Sequence, residues 1–213
     1  MIFFEATWAL FKKECLLQAR QPGSLLPMFF FSFLALLILR IGFGEGNTNV
    51  TWGPLVWATT LFGGMLRLTR SFDTEEEGDI LDHLRIHPGI AGPLFLSKWM
   101  MNLFFILLLE MVTVVFAGIF SPIPGDEIIR AVPAFFLGTF GFSCVGTLMA
   151  GMFVGEGRRD LLLPVIAYPI LVPVILGVLK GVDLDITWIK ILVSFDIIYA
   201  TASFMVFESV LRA

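Results

Sequence analysis

The sequence predicts an all-α protein that crosses a membrane several times, and three observations carry that reading. Of its 213 residues 57% are hydrophobic, against roughly 45 to 50% in soluble domains. Only 15% are charged, and the mean hydropathy is +0.90. The apolar residues also gather into runs close to the roughly 20 residues that a helix needs to cross a bilayer. A soluble core requires neither so much apolar sequence nor such long runs. The net charge of -4 owes much to Glu75, Glu76 and Glu77, an acidic balance that argues against a nucleic-acid partner.

Residues 1–20 are too charged to span, yet Phe4, Trp8, Phe11 and Cys15 recur at i, i+4, i+7 and i+11, one stripe of a helix. An interfacial helix along the cytoplasmic surface, with Lys12, Lys13 and Arg20 near anionic lipid, accounts for both features. A plain extension of the first span is the competing reading. These residues lack the short apolar core and small-residue cleavage site of a secretory signal, so no processing is expected.

The first span covers residues 24–41. The second, residues 50–66, is the shortest: a helix of that length rises only about 25 Å, and Gly53, Pro54, Gly63 and Gly64 weaken it. Trp52 and Trp57 suit an interface, and both flanks are polar, so it counts as a span. As a re-entrant segment it would put the termini on opposite sides. Residues 99–120, 131–154, 161–179 and 188–207 complete a set of six spans. With the N-terminus inside, the inner segments hold Lys12, Lys13, Arg20, Arg67, Arg70, Arg85, Lys98, Arg158, Arg159 and Arg212. The outer flanks hold only Arg40, Arg130, Lys180 and Lys190. This asymmetry places both termini in the cytoplasm.

The largest piece outside the membrane is the inner loop of residues 67–98. Thr74 followed by Glu77 makes a capping box, Ile80, Leu81 and Leu84 form an apolar ridge, and Pro88-Gly89 ends the helix. Nothing in the chain obviously covers this ridge. A partner, the lipid surface or the N-terminal helix would have to do so.

Chemistry-bearing motifs are few. No G-x-x-x-x-G-K-[ST] loop occurs, so energy from a nucleotide must come through another chain. His83 and His87 stand four apart on one face of the loop helix, but no third ligand is evident, and they read as solvated or partner-facing rather than as a metal site. Cys15 and Cys144 read as packing residues, and no C-x-x-C-H haem-attachment motif is present. Glu110 and Asp196 fall midway along their spans and form a candidate intramembrane polar site. Thr113 and Tyr199 are near enough in sequence to hold them by hydrogen bonds between helices. Gly146-x-x-x-Ala150 and Gly151-x-x-x-Gly155 permit close helix approach, within the bundle or between two copies. Pro164, Pro169 and Pro173 predict a kinked fifth span.

Taken in order, these segments resemble the haem exporter B subunit family (CcmB). The resemblance rests on residues 53–98, with Arg70-Ser71-Phe72, the acidic run before Gly78, Leu81, Leu84, Pro88 and Lys98. It continues through Gly138-Thr139-Phe140-Gly141, Val145-Gly146-Thr147-Leu148 and Arg159-Asp160-Leu161-Leu162-Leu163-Pro164, with Pro169 and Pro173. It ends at Phe195-Asp196 and Phe207-Glu208, and so covers nearly the whole chain. The resemblance implies a six-span, dimeric permease of an ABC transporter used in cytochrome c maturation, in the bacterial inner membrane. It implies a cytoplasmic ATPase subunit that binds ATP, a haem-handling membrane protein and a periplasmic haem chaperone as partners. It supplies no catalytic residue, and any haem belongs to the assembled complex rather than to this chain alone. The loop helix then becomes the ATPase-coupling element, with Leu81 and Leu84 as anchors and Glu76, Glu77 and Asp82 at the rim. A type-2 ABC exporter for a lipid, glycan or drug is the alternative. A membrane-embedded enzyme using Glu110 and Asp196 as an acid/base pair lacks a neighbouring nucleophile or metal.

Overall fold

The computed structural model describes residues 2–20, 23, 25–43, 52–73, 89–120, 122–155 and 158–212. Seven α-helices make up the described chain: α1 (Ile2–Arg20), α2 (Leu26–Phe43), α3 (Trp52–Thr69), α4 (Ala91–Phe120), α5 (Gly125–Met152), α6 (Arg159–Gly181) and α7 (Ile186–Arg212). Five of them, α2 and α4 to α7, are long and apolar enough to cross a bilayer by length and composition. Together with broad outward apolar faces, such as Met111, Val115 and Ile119 on α4, they make this an all-α polytopic membrane protein.

Helix ends differ from the apolar runs in an instructive way. Helix α4 starts at Ala91, eight residues before the apolar run, because Pro93 is tolerated in a first turn and nothing that follows opposes helix. Helix α7 likewise continues to Arg212. The added residues of α4 are packed inside the bundle, with Ala91, Leu94, Phe95, Ser97 and Lys98 buried. Helix α6 forms one continuous helical element through Pro164, Pro169 and Pro173.

The centre of the bundle is α5, which packs against α3, α4, α6 and α7. Its glycines permit that. A Cβ on Gly138 would stand 2.1 Å from Val178 and 2.9 Å from the Trp57 ring, and one on Gly146 would stand 2.3 Å from Leu68. Gly151 receives Phe207 in the same way, at 2.5 Å. The small residues at 146 and 151 are therefore used inside one chain, to seat α3 and α7.

Helix α3 is the most enclosed element relative to its length. Thirteen of its 18 residues are buried, against three of 18 in α2. It runs antiparallel to α6 over the full length of that helix. Gly53 faces Val182 past the end of α6, Tyr168 Oη donates to the Leu61 carbonyl at 3.5 Å midway, and Asp73 pairs with Arg159 where α6 begins. At the Trp52 end, the indole N–H of Trp52 donates to Glu127 Oε2 at 3.0 Å.

Helix α1 is a separate element rather than an extension of α2, and its packing face differs from the predicted stripe. Thr7 and Glu14 are its buried residues, whereas Phe4 and Trp8 are 79% and 56% exposed. Phe11 and Cys15 still turn inward, against Met28, Met101, Phe105 and Leu109. The stripe is thus divided: its outer half faces outward, with Lys12 Nζ lying 5.5 Å from the Trp8 ring, and its inner half lines the bundle.

Candidate functional site

The segment assigned to ATPase coupling, with Glu76, Glu77, Leu81, Asp82 and Leu84, lies outside the described residues, as do His83 and His87. Its root is described, and it is held by buried charges. Lys98, 2% exposed on α4, donates to the Ser71 carbonyl at 2.8 Å and pairs with Glu14 Oε2 of α1 at 3.0 Å. Its ammonium also lies 5.2 Å from the Phe72 ring. One residue further on, Asp73 accepts from Arg159 of α6. Arg67, buried in the last turn of α3, lies over the Phe105 ring at 5.1 Å, with Glu14 and Asp73 as nearby opposite charges. Residues 71–73 are therefore tied to α1, α4 and α6 at once.

This arrangement is rigid for a physical reason. An ammonium taken out of water is tolerated only when its donors find partners, and removing one partner costs more than making the pair gained. Lys98 has a carboxylate, a carbonyl and an aromatic face. Helix α1 contributes a carboxylate where an apolar packing stripe would suffice for adhesion alone.

A polar ladder joins α4 and α5 further along. Trp99 Nε1 donates to Ser143 Oγ at 3.0 Å, and Asn102 Nδ2 donates to Thr147 Oγ1 at 3.0 Å. Thr139 Oγ1 donates to Glu110 Oε2 at 3.0 Å. Residues 139, 143 and 147 recur every four positions and so share one face of α5. Thr113, the partner suggested by sequence, instead bonds to the Leu109 carbonyl of its own helix.

Asp196 of α7 is 4% exposed and meets α5 at Gly141, where a Cβ would stand 2.4 Å from Oδ1. Both of its oxygens are buried without a hydrogen-bond partner among the described residues. Tyr199, the partner suggested by sequence, instead donates to the Ile170 carbonyl at 2.5 Å. Thr139 and Gly141 are two residues apart, about 200° around the helix at 3.6 residues per turn. Glu110 and Asp196 consequently flank α5 on opposite faces and are not brought together. An acid/base pair must reach one substrate from both sides, which this placement does not provide.

Among the described residues, no three His, Cys, Asp or Glu side chains converge as metal ligands would. Cys15 and Cys144 are free thiols in packing positions, with Cys15 Sγ 3.9 Å from Met101 Sδ. The residue that sequence reading missed is Glu14, whose partner is 84 positions away. The available signal was Lys98, a cation on the edge of an apolar run, where an inward-facing charge requires a carboxylate.

Two comparisons bear on the whole chain. It is 30% identical over 171 residues to Heme exporter protein B of Pseudomonas aeruginosa, an alignment covering 78% of this chain and 76% of that protein. The family model described as CcmB protein matches residues 5–211, the span that contains the Glu14–Lys98 pair, the polar ladder and Asp196. The chain therefore belongs to the CcmB protein family.

Proposed function

We propose that this chain is the permease subunit of an ABC transporter in cytochrome c maturation. It would couple ATP hydrolysis by a separate cytoplasmic subunit to haem export or to release of a haem-loaded chaperone. Family membership, with a relative named as a heme exporter protein, carries this reading. The assembly contains a second permease copy, the ATPase subunit, a haem-handling membrane protein and a periplasmic haem chaperone. Helix α3 is the sixth crossing, a reading supported by its match to both ends of α6. The Asp73–Arg159 end faces the cytoplasm of the bacterial inner membrane, with both termini on that side and α1 along the interface.

In this reading residues 74–88 dock on the ATPase subunit, and the charged clamp at their root carries the force. Displacement of residues 71–73 pulls on Lys98 and Arg159, and hence on α1, α4 and α6 together. Aliphatic anchors contribute more to such docking than rim charges do. Replacing Leu84 by Ala should weaken assembly by about 1 to 3 kcal/mol, while neutralising Glu76 or Glu77 should cost less and depend on salt. The test is co-purification of the ATPase subunit with a Leu81→Ala, Leu84→Ala double variant present at normal membrane abundance. Loss of the partner is expected. Full retention would show that this segment is not the coupling element.

A further inference from the structure

Between α2, α3 and α6 a groove opens on the outside of the bundle, and its two ends differ in chemistry. Phe31, Phe62, Met65 and Tyr168 form its walls, while Arg70 and Asp160 stand at its mouth. From Arg70, the residue after α3, back to Phe62, and from Asp160 to Tyr168 on α6, is eight residues in each case, about 12 Å at the helical rise. The charged mouth therefore sits where those two helices end, and the walls descend towards mid-membrane. Arg70 and Asp160 are both exposed, and neither side chain has an ion pair or hydrogen bond among the described residues. Asp160 also occupies the first turn of α6. The Phe62 and Tyr168 rings meet edge to face at 6.4 Å and close the deep end.

We propose that this groove binds one phospholipid with a phosphoethanolamine head. The phosphate is held by Arg70, the ammonium by Asp160, and one acyl chain lies along Phe31, Phe62 and Tyr168. A mouth carrying one cation and one anion matches a zwitterionic head better than an anionic one, whose phosphate Arg70 would attract and Asp160 repel. A primary ammonium is favoured over a quaternary one because only the former has N–H groups for the Asp160 carboxylate. The apolar walls exclude a free phosphoethanolamine as the preferred ligand, since their burial requires a chain.

The experiment reconstitutes the assembled complex in phosphatidylcholine nanodiscs containing a trace of photoreactive phosphatidylethanolamine or phosphatidylglycerol, then maps the cross-linked peptide. The ethanolamine probe should label the segments holding Phe62 and Tyr168, and unlabelled phosphatidylethanolamine should compete it away at about one tenth the dose of phosphatidylglycerol. Asp160→Asn should abolish that preference while retaining labelling by both probes. Arg70→Gln should lower labelling by either probe about tenfold. Both substitutions are of exposed side chains, and an unchanged melting temperature certifies that the variants are folded. Equal competition by the two lipids in the unaltered protein would overturn the proposal. So would a groove that labels with neither lipid and instead cross-links to a second copy of the chain.

Discussion

Removing the Glu14 carboxylate should loosen residues 71–73 more than removing its lysine partner. In Glu14→Leu, Lys98 keeps the Ser71 carbonyl at 2.8 Å and the Phe72 ring at 5.2 Å but loses the charge at 3.0 Å. An ammonium that is only 2% exposed cannot regain water by a rotamer change, so the expected loss is about 3 to 5 kcal/mol. In Lys98→Met the remaining carboxylate, though buried, keeps Lys13 at 3.8 Å, and about 1 to 3 kcal/mol is expected. The double variant should cost less than the two singles together, a coupling of about 2 kcal/mol or more. Cys15 reports the event, because it sits one residue from Glu14 and is only partly buried. Release of α1 by 3 kcal/mol corresponds to roughly a hundredfold change in the undocking equilibrium, read as faster alkylation of Cys15. Buried Cys144 serves as the slow internal reference. A Glu14→Leu protein with unchanged Cys15 alkylation and a melting temperature within a degree or so of the parent would refute the clamp.

Three further outcomes are expected. Gly138→Ala drives a methyl between Val178 and Trp57, both fully enclosed, and should lower stability by about 1 to 3 kcal/mol. Gly118→Ala, with open space at its Cβ, should be neutral or gain up to about 1 kcal/mol in helix propensity; a melting series comparing the two decides. Asn47→Cys should react with an impermeant maleimide only from the periplasmic side, and labelling confined to the cytoplasmic side would remove the six-crossing arrangement. His83→Ala with His87→Ala should leave the haem content of the assembled complex unchanged, whereas a lost Soret band would assign these residues a ligand role.

Apolar run length was enough to locate the helices, because exclusion from water acts on each residue independently of its neighbours in space. Five apolar runs overlap five of the described helices, and the small residues at 146 and 151 were legible as close approaches without their partners. Pairings were not legible. Glu14 and Lys98 carry no local signal of each other, and the face of α1 that packs is centred on Thr7 and Glu14 and takes in only the Phe11 and Cys15 half of the apolar stripe. Glu110 and Asp196 stood out as costly charges, yet nothing local indicates that they lie on opposite sides of α5. That depends on which helix comes between them.

The enclosure of α3 has a consequence for how the protein is made. A helix that meets lipid along most of its surface can partition into the bilayer as soon as it leaves the translocation channel, but α3 has Thr59, Thr60, Gly63 and Gly64 buried among neighbours, and several of those neighbours are synthesised later. In the six-crossing arrangement proposed above, its residence in the membrane should be a cooperative outcome, completed only when α4, α5 and α6 arrive to cover it. Chains halted after Asp73 should leave this segment accessible to water, and full-length chains should not.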